Sequence, residues 1–137
     1  MTARLRSIAL AGALLLAGNL GALAIFIDSG PVVAKSALVL EPLEGRWYHD
    51  GAPFEGRAEV RNEDGALLES MSFVQGKKHG EAVAYHPSGE IRRRAAYVMN
   101  RLQGQVRVWS PDGELREESR YDNGVRDGIQ RMWHSNG

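Results

Sequence analysis

The sequence predicts an all-β chain: a single-layer antiparallel meander of 24-residue β-hairpin repeats, preceded by an N-terminal hydrophobic helix. Three observations predict it. Gly56, Gly80, Gly104 and Gly128 stand 24 residues apart, and so do Gly65, Gly89, Gly113 and Gly137. Three apolar or aromatic columns keep the same step: Leu67, Ile91, Leu115; Phe73, Tyr97, Tyr121; Tyr85, Trp109, Trp133. The segments between turns alternate with period two, the pattern of a half-buried antiparallel strand. A fixed period held by several columns at once marks a repeat array.

The chain starts MTARLR, and Ser7 to Ile27 then carries no charge. As a helix rising about 1.5 Å per residue, this run just spans a bilayer core of roughly 30 Å. Residues 1–27 read either as a signal peptide cut after Ala24, because Ala22-Leu23-Ala24 fits the small-x-small rule, or as a retained membrane anchor, because the apolar run continues through Ile25, Phe26 and Ile27. Both readings export the rest of the chain. Arg4 and Arg6 stay inside, so the remainder is expected to face the periplasm or the cell surface. Residues 28–46 read as a linker, with Pro31 and Pro42 and no clean period.

Residues 47–137 read as the repeat domain, with the last copy incomplete. Tyr48, Gly51 and Gly56 echo Tyr121, Gly124 and Gly128 with one residue inserted, so a half copy precedes the full ones. Each copy needs two turns. Asp64-Gly65, Ser88-Gly89, Asp112-Gly113 and Asn136-Gly137 are turn dipeptides, and Pro87 and Pro111 precede two of them. These suit a type I turn followed by a left-handed residue, a conformation that glycine takes without steric cost. The second turn reads as longer: VQGKKHG, VMNRLQG and DNGVRDG. Its first special position holds Gly76, Asn100 and Gly124, the two residue types most at home in the left-handed region. Its closing glycines, Gly80, Gly104 and Gly128, are expected to mark a bulge or a close backbone approach.

Between the turns, ELREESRY sets Leu115, Glu117, Ser119 and Tyr121 against Arg116, Glu118 and Arg120. EIRRRAAY sets Ile91, Arg93, Ala95 and Tyr97 against Arg92, Arg94 and Ala96. Trp109 falls on the opposite parity from Val106 and Val108, so either a bulge returns it to their face or it is exposed. A lone hairpin is marginal in water, and stacking hairpins edge to edge makes stability a sum over neighbours.

Composition excludes several classes. The 17 basic and 17 acidic residues balance, so no global field selects nucleic acid. Locally the balance breaks. Residues 41–69 carry a net −5, residues 70–110 a net +5 and residues 111–137 a net −2. The absence of cysteine removes disulfides, thiolate catalysis and Cys-ligated metals. Of the four histidines, His86 and His134 share a column two copies apart. At roughly 4.8 Å per strand they are too far apart to share a metal. Glu90 and Glu114 follow turn glycines and form no close carboxylate pair. No enzymatic activity, cofactor or metal is expected.

The stretch YVMNRLQGQVRVWSPDGELREESRYDNGVRDG resembles the MORN-repeat variant found in bacteria, whose pattern is aromatic, two residues, Gly, three residues, Gly, a strand ending in an aromatic, then Asn/Asp/Ser-Gly. FVQGKKHG is similar to the NGKKHG core of ordinary MORN repeats. The resemblance covers about residues 47–137 and implies hairpins in a single layer without enzymatic activity. It also implies a binding or scaffolding role toward proteins or acidic phospholipids, and bacterial members often carry antitoxin or immunity labels. The chain departs from the pattern at Ala52 and Asn100. The expected partner is a protein, met through Lys77, Lys78, Arg92, Arg94, Trp109 and Trp133. The alternative is an acidic lipid surface held by the basic face at about 1 kcal/mol per cation.

Overall fold

The computed structural model describes residues 30–135. The hydrophobic segment 7–27, its cleavage position near Ala24 and the Asn136-Gly137 turn lie outside the described residues. Among the described residues no helix is long and apolar enough to cross a membrane.

Thirteen strands account for most of the described residues: β1 (Val32–Ala34), β2 (Val39–Glu41), β3 (Arg46–His49), β4 (Ala52–Pro53), β5 (Gly56–Arg61), β6 (Leu67–Val74), β7 (Lys77–Tyr85), β8 (Ile91–Val98), β9 (Arg101–Leu102), β10 (Gly104–Trp109), β11 (Leu115–Asp122), β12 (Val125–Arg126) and β13 (Arg131–Met132). One sheet runs in the order β1, β5, β6, β7, β8, β10, β11, β12, with β9 on β8 and β13 on β11; β2, β3 and β4 form a second, smaller sheet. From β5 to β11 each longer strand pairs with the next longer strand in sequence, as a meander requires. One pairing departs from the antiparallel expectation: β1 lies parallel to β5, with Val32 opposite Arg57 and Ala34 opposite Glu59. The stretch read as a linker therefore carries β1, a 3-10 turn (Lys35–Ala37) and β2. Parallel strands need a long crossover. Here the turn and the small sheet supply it, returning the chain to the edge of the array.

Both turns repeat at the level of single hydrogen bonds. Gly65, Gly89 and Gly113 donate their amides to the carbonyls of Asn62, His86 and Ser110 at 2.9, 2.9 and 3.0 Å. The amides of those three residues donate to Ala66, Glu90 and Glu114 at 3.0, 2.8 and 2.9 Å. The three glycines have φ of 83°, 93° and 81°, the positive φ the sequence predicts. The strand pairing slips by one residue beside each turn, between Ala84 and Tyr85 and again between Val108 and Trp109. This bulge returns Tyr85 and Trp109 to the face of Ile91 and Leu115, their partners in register.

The second turn is tighter than the sequence predicts. Val74 pairs with Lys77, Val98 with Arg101 and Asp122 with Val125, so only two residues form each loop. Both loop residues have positive φ: Gln75 and Gly76 at 50° and 75°, Met99 and Asn100 at 47° and 74°, Asn123 and Gly124 at 50° and 83°. That is the type I′ hairpin, whose twist matches that of the strands it joins. Asp50-Gly51 makes the same turn between β3 and β4 at 50° and 78°, the geometry expected of a half copy. Each tip is also stitched to the copy before it. Gly76, Asn100 and Gly124 donate to the carbonyls of Phe54, Lys78 and Leu102 at 2.7, 2.8 and 2.8 Å, three bonds at one 24-residue step.

The closing glycines stand opposite aromatics. Gly56 pairs with Phe73, Gly80 with Tyr97 and Gly104 with Tyr121. A ring lying over a glycine covers backbone that would otherwise lose packing. Gly56 also meets β1: a Cβ there would sit 2.3 Å from the Pro31 carbonyl oxygen.

The apolar core is small and sits at the N-terminal end. Leu38, Phe54, Ala58 and Phe73 are buried together, with Val33, Trp47 and Met71 against them. Phe73 meets Trp47 edge-on at 6.2 Å and Phe54 at 5.6 Å between ring centroids. Such pairs add about 0.5–1.5 kcal/mol each beyond area burial. Beyond Phe73, the buried inward residues are small: Ala82, Ala95, Val106 and Ser119.

Candidate binding surface

Register and alternation define two faces of the large sheet. The inner face carries three rows that run across the strands. One is aromatic, with Phe73, Tyr97 and Tyr121. Beside it run Ala58, Met71, Ala82 and Ala95, then Val106 opposite Ser119, small residues apart from Met71. The third row holds Glu69, Ala84, Arg93, Val108 and Glu117. Tyr85 and Trp109 stand beyond it, brought there by the bulges. Tyr85, Tyr97, Trp109 and Tyr121 are all partly buried. Among the described residues, β8, β10 and β11 contact chiefly their sheet neighbours, and the core cluster ends at Phe73. No described residue therefore forms a packed second layer on the inner face of these strands.

The outer face is charged and largely self-paired. Arg94 Nε lies 2.9 Å from Glu81 Oε1. Arg94 stands directly opposite Arg107 on the neighbouring strand. Arg107 in turn donates to Glu118 at 2.8 Å, and Glu118 also accepts from Arg131 at 3.2 Å. The Arg107 hydrogen bond, joined by the field of both guanidiniums, holds the Glu118 carboxyl below the ordinary carboxylate range. Arg120 pairs with Asp127 at 3.5 Å, and Arg116 with Glu114 at 2.5 Å. Exposed pairs of this kind contribute little each, of order 0–1 kcal/mol.

The residues proposed from sequence as partner-binding do not form one site. Arg92 and Arg94 share the exposed outer face of β8. Lys77 and Lys78 sit at the start of β7 beside a hairpin tip, and the Lys78 ammonium lies 5.4 Å from the centre of the Tyr97 ring. Lys78 thus belongs with the aromatic row. Trp109 is on the inner face. Trp133 follows β13, 38% exposed, and donates its amide to the Arg116 carbonyl at 2.9 Å. With Glu114, Leu115, Arg116, His134 and Ser135 it lines a shallow open hollow. Elsewhere in this C-terminal stretch Val125, Ile129 and Met132 are also exposed. The nine structural glycines named from sequence within the described residues, Gly56, Gly65, Gly76, Gly80, Gly89, Gly104, Gly113, Gly124 and Gly128, all have positive φ.

Two features escaped the sequence reading. Asn100 is more than a tolerated exception to glycine: its Oδ1 accepts from the Lys78 amide at 2.8 Å, and its Nδ2 donates to the Gly45 carbonyl at 2.7 Å. It ties the small sheet to the array, over a separation in sequence that no local pattern signals. Arg93 is the second. It stands on the inner face among Tyr85, Ile91 and Ala95, and no described residue pairs with it. His86, which shares its column with His134, sets Nε2 against the Trp109 carbonyl at 3.0 Å, linking adjacent copies. Among the described residues no three His, Asp or Glu side chains converge as a metal site.

Fold and surface together define an edge-to-edge β-hairpin repeat array with one charged and one aromatic face. The family model of the MORN repeat variant matches residues 78–98 and 102–123, the two copies built from β7 to β11. Repeats of that family are typically protein- or lipid-binding modules. No curated protein and no solved structure matches the chain.

Proposed function

We propose that the chain is a non-enzymatic module, exported and held at or released from a membrane by residues 1–27, that binds a protein through the inner face of its repeat array. One observation carries this reading: Tyr85, Tyr97, Trp109 and Tyr121 share a face that no second layer among the described residues covers. Tyr and Trp bury large area at low entropic cost, which is why they anchor interfaces. An antitoxin- or immunity-like role is the finer form of the proposal and rests on the resemblance to bacterial variant repeats.

A photo-crosslinking side chain at Tyr97 or Tyr121, in the native envelope, tests the reading. It is expected to trap one polypeptide that the same group at outer-face Arg92 does not trap. Equal trapping at both faces, or none at either, rejects it. The second reading, an acidic-lipid scaffold, draws on Arg92 and Lys77, which have no carboxylate partner among the described residues. It requires flotation with anionic liposomes that Arg92→Glu and Arg94→Glu abolish.

A further inference from the structure

The column Glu69, Arg93, Glu117 crosses the inner face at the 24-residue step, one residue per copy. Its two acids are satisfied within the chain. Lys35 Nζ donates to Glu69 at 3.2 Å. Glu117 Oε1 accepts from Ser119 Oγ at 2.9 Å and from Gln130 Nε2 at 2.8 Å. Arg93 between them has no such partner. Its neighbours in register are Ala84 and Val108, and Ile91 and Ala95 flank it on its own strand. Along the strands the next pair on one side is Tyr85 with Ile91, and on the other the Ala95 row separates Arg93 from the ring of Tyr97. A partly buried guanidinium thus stands between aliphatic neighbours with no carboxylate paired to it among the described residues; the acids of its row stand two strands away on either side, each engaged elsewhere.

Covering this face with an apolar partner would strip water from Arg93 and leave a desolvated charge, an arrangement that is strongly unfavourable in buried settings. A partner that brings a carboxylate removes that cost and gains a charge-assisted, bidentate pair. We propose that Arg93 is the specificity-determining residue of the inner face, and that the occupant is an extended polypeptide segment presenting one Asp or Glu flanked by apolar side chains. The carboxylate seats on the Arg93 guanidinium while the flanking residues lie on Tyr85 and Tyr97. The register partner of Tyr85, Ile91, lies six residues from Tyr97 along β8, about 20 Å at roughly 3.3 Å per residue, the length of about six extended residues. This inference rests on the inner-face reading and adds the chemistry of the partner.

Panning a random-peptide display library on the immobilised full chain tests it. Recovered peptides are expected to share an acidic residue between apolar ones, and to bind the Arg93→Gln chain about tenfold more weakly. Arg93→Lys should recover part of that loss. Panning on the Arg93→Glu chain should select Lys or Arg in place of the acid, whereas the outer-face variant Arg92→Glu should select the original peptides. Circular dichroism melts of each variant separate loss of binding from loss of fold. Selection of peptides without an acid overturns the Arg93 assignment and leaves the inner-face reading standing. An acidic preference that follows Arg92 and not Arg93 moves the site to the outer face and overturns both. Recovery of no peptides overturns both, and so does Arg93-dependent binding to anionic phosphatidylserine vesicles without peptide binding.

Discussion

Asn100 shows how one residue can serve a local turn and a long-range contact together. At φ of 74° it occupies a position held by glycine in the copies before and after it. Asparagine tolerates that region better than other side chains, so the turn is kept. Its amide group adds what glycine lacks: one bond to the Lys78 amide nitrogen at 2.8 Å and one to the Gly45 carbonyl at 2.7 Å. Restoring the repeat consensus with Asn100→Gly should therefore destabilise the protein, by about 1 kcal/mol for two exposed bonds lost. Chemical denaturation of the two chains measures this. A variant as stable as the parent would mean that the Gly45 tie carries no weight.

At the scale of elements, the strands at the C-terminal end are held differently from those at the N-terminal end. β13 pairs with β11 over only two residues, Met132 opposite Glu117 and Arg131 opposite Glu118. Glu118 bridges Arg107 of β10 and Arg131 of β13. Its pKa is lower in the folded chain than the ordinary 4.5, so the folded state holds the ionised form more strongly than the unfolded chain does. This contribution is present in full above pH 4.5 and is lost as pH falls through the lowered folded value. β13 should therefore loosen in acid before the rest of the sheet. Amide protection factors at Arg131 and Trp133 are expected to drop on acidification below 4.5. Glu118→Gln should remove that pH dependence, and protection that still falls in the variant would assign the effect to another group.

Across the whole molecule, stability is graded along the array. β1 covers the first edge of the large sheet, and the aromatic cluster of Trp47, Phe54 and Phe73 seals that end. The opposite end has short strands and exposed Val125, Ile129 and Met132. In an array whose stability sums over neighbours, opening starts where the fewest neighbours hold. Native-state hydrogen exchange should show protection highest in β5 to β7, lower in β10 and β11, and lowest in β12 and β13. Uniform protection from β5 to β13 would mean that the array opens as one cooperative unit.

The period, the turn glycines and the inward and outward residues of each long strand were legible in the sequence, because each depends on neighbours within one copy. Gly89 needs positive φ whatever lies around it. The Tyr97 column faces inward because alternation has period two. The parallel strand Val32–Ala34, the tie from Asn100 to Gly45 and the separation of Lys78 from Arg92 were not legible. Each depends on which distant segment lies alongside, and short stretches such as VVA or VLE carry too little pattern to name their partner. The same holds for the candidate site. Sequence alone marked a basic cluster from Lys77 to Arg94, whereas register and bulges divided it into an outer Arg94 paired with Glu81, an outer Arg92 and an inner Arg93 without a partner among the described residues, and a lysine beside a tyrosine ring. The sequence by itself determined the repeat, its turn glycines and the alternation of each long strand, since these depend on φ preferences and period two; the two-residue second turn it read as longer. The tertiary structure alone decided what closes the first edge and which charges are already neutralised, since those depend on distances between residues far apart in the chain.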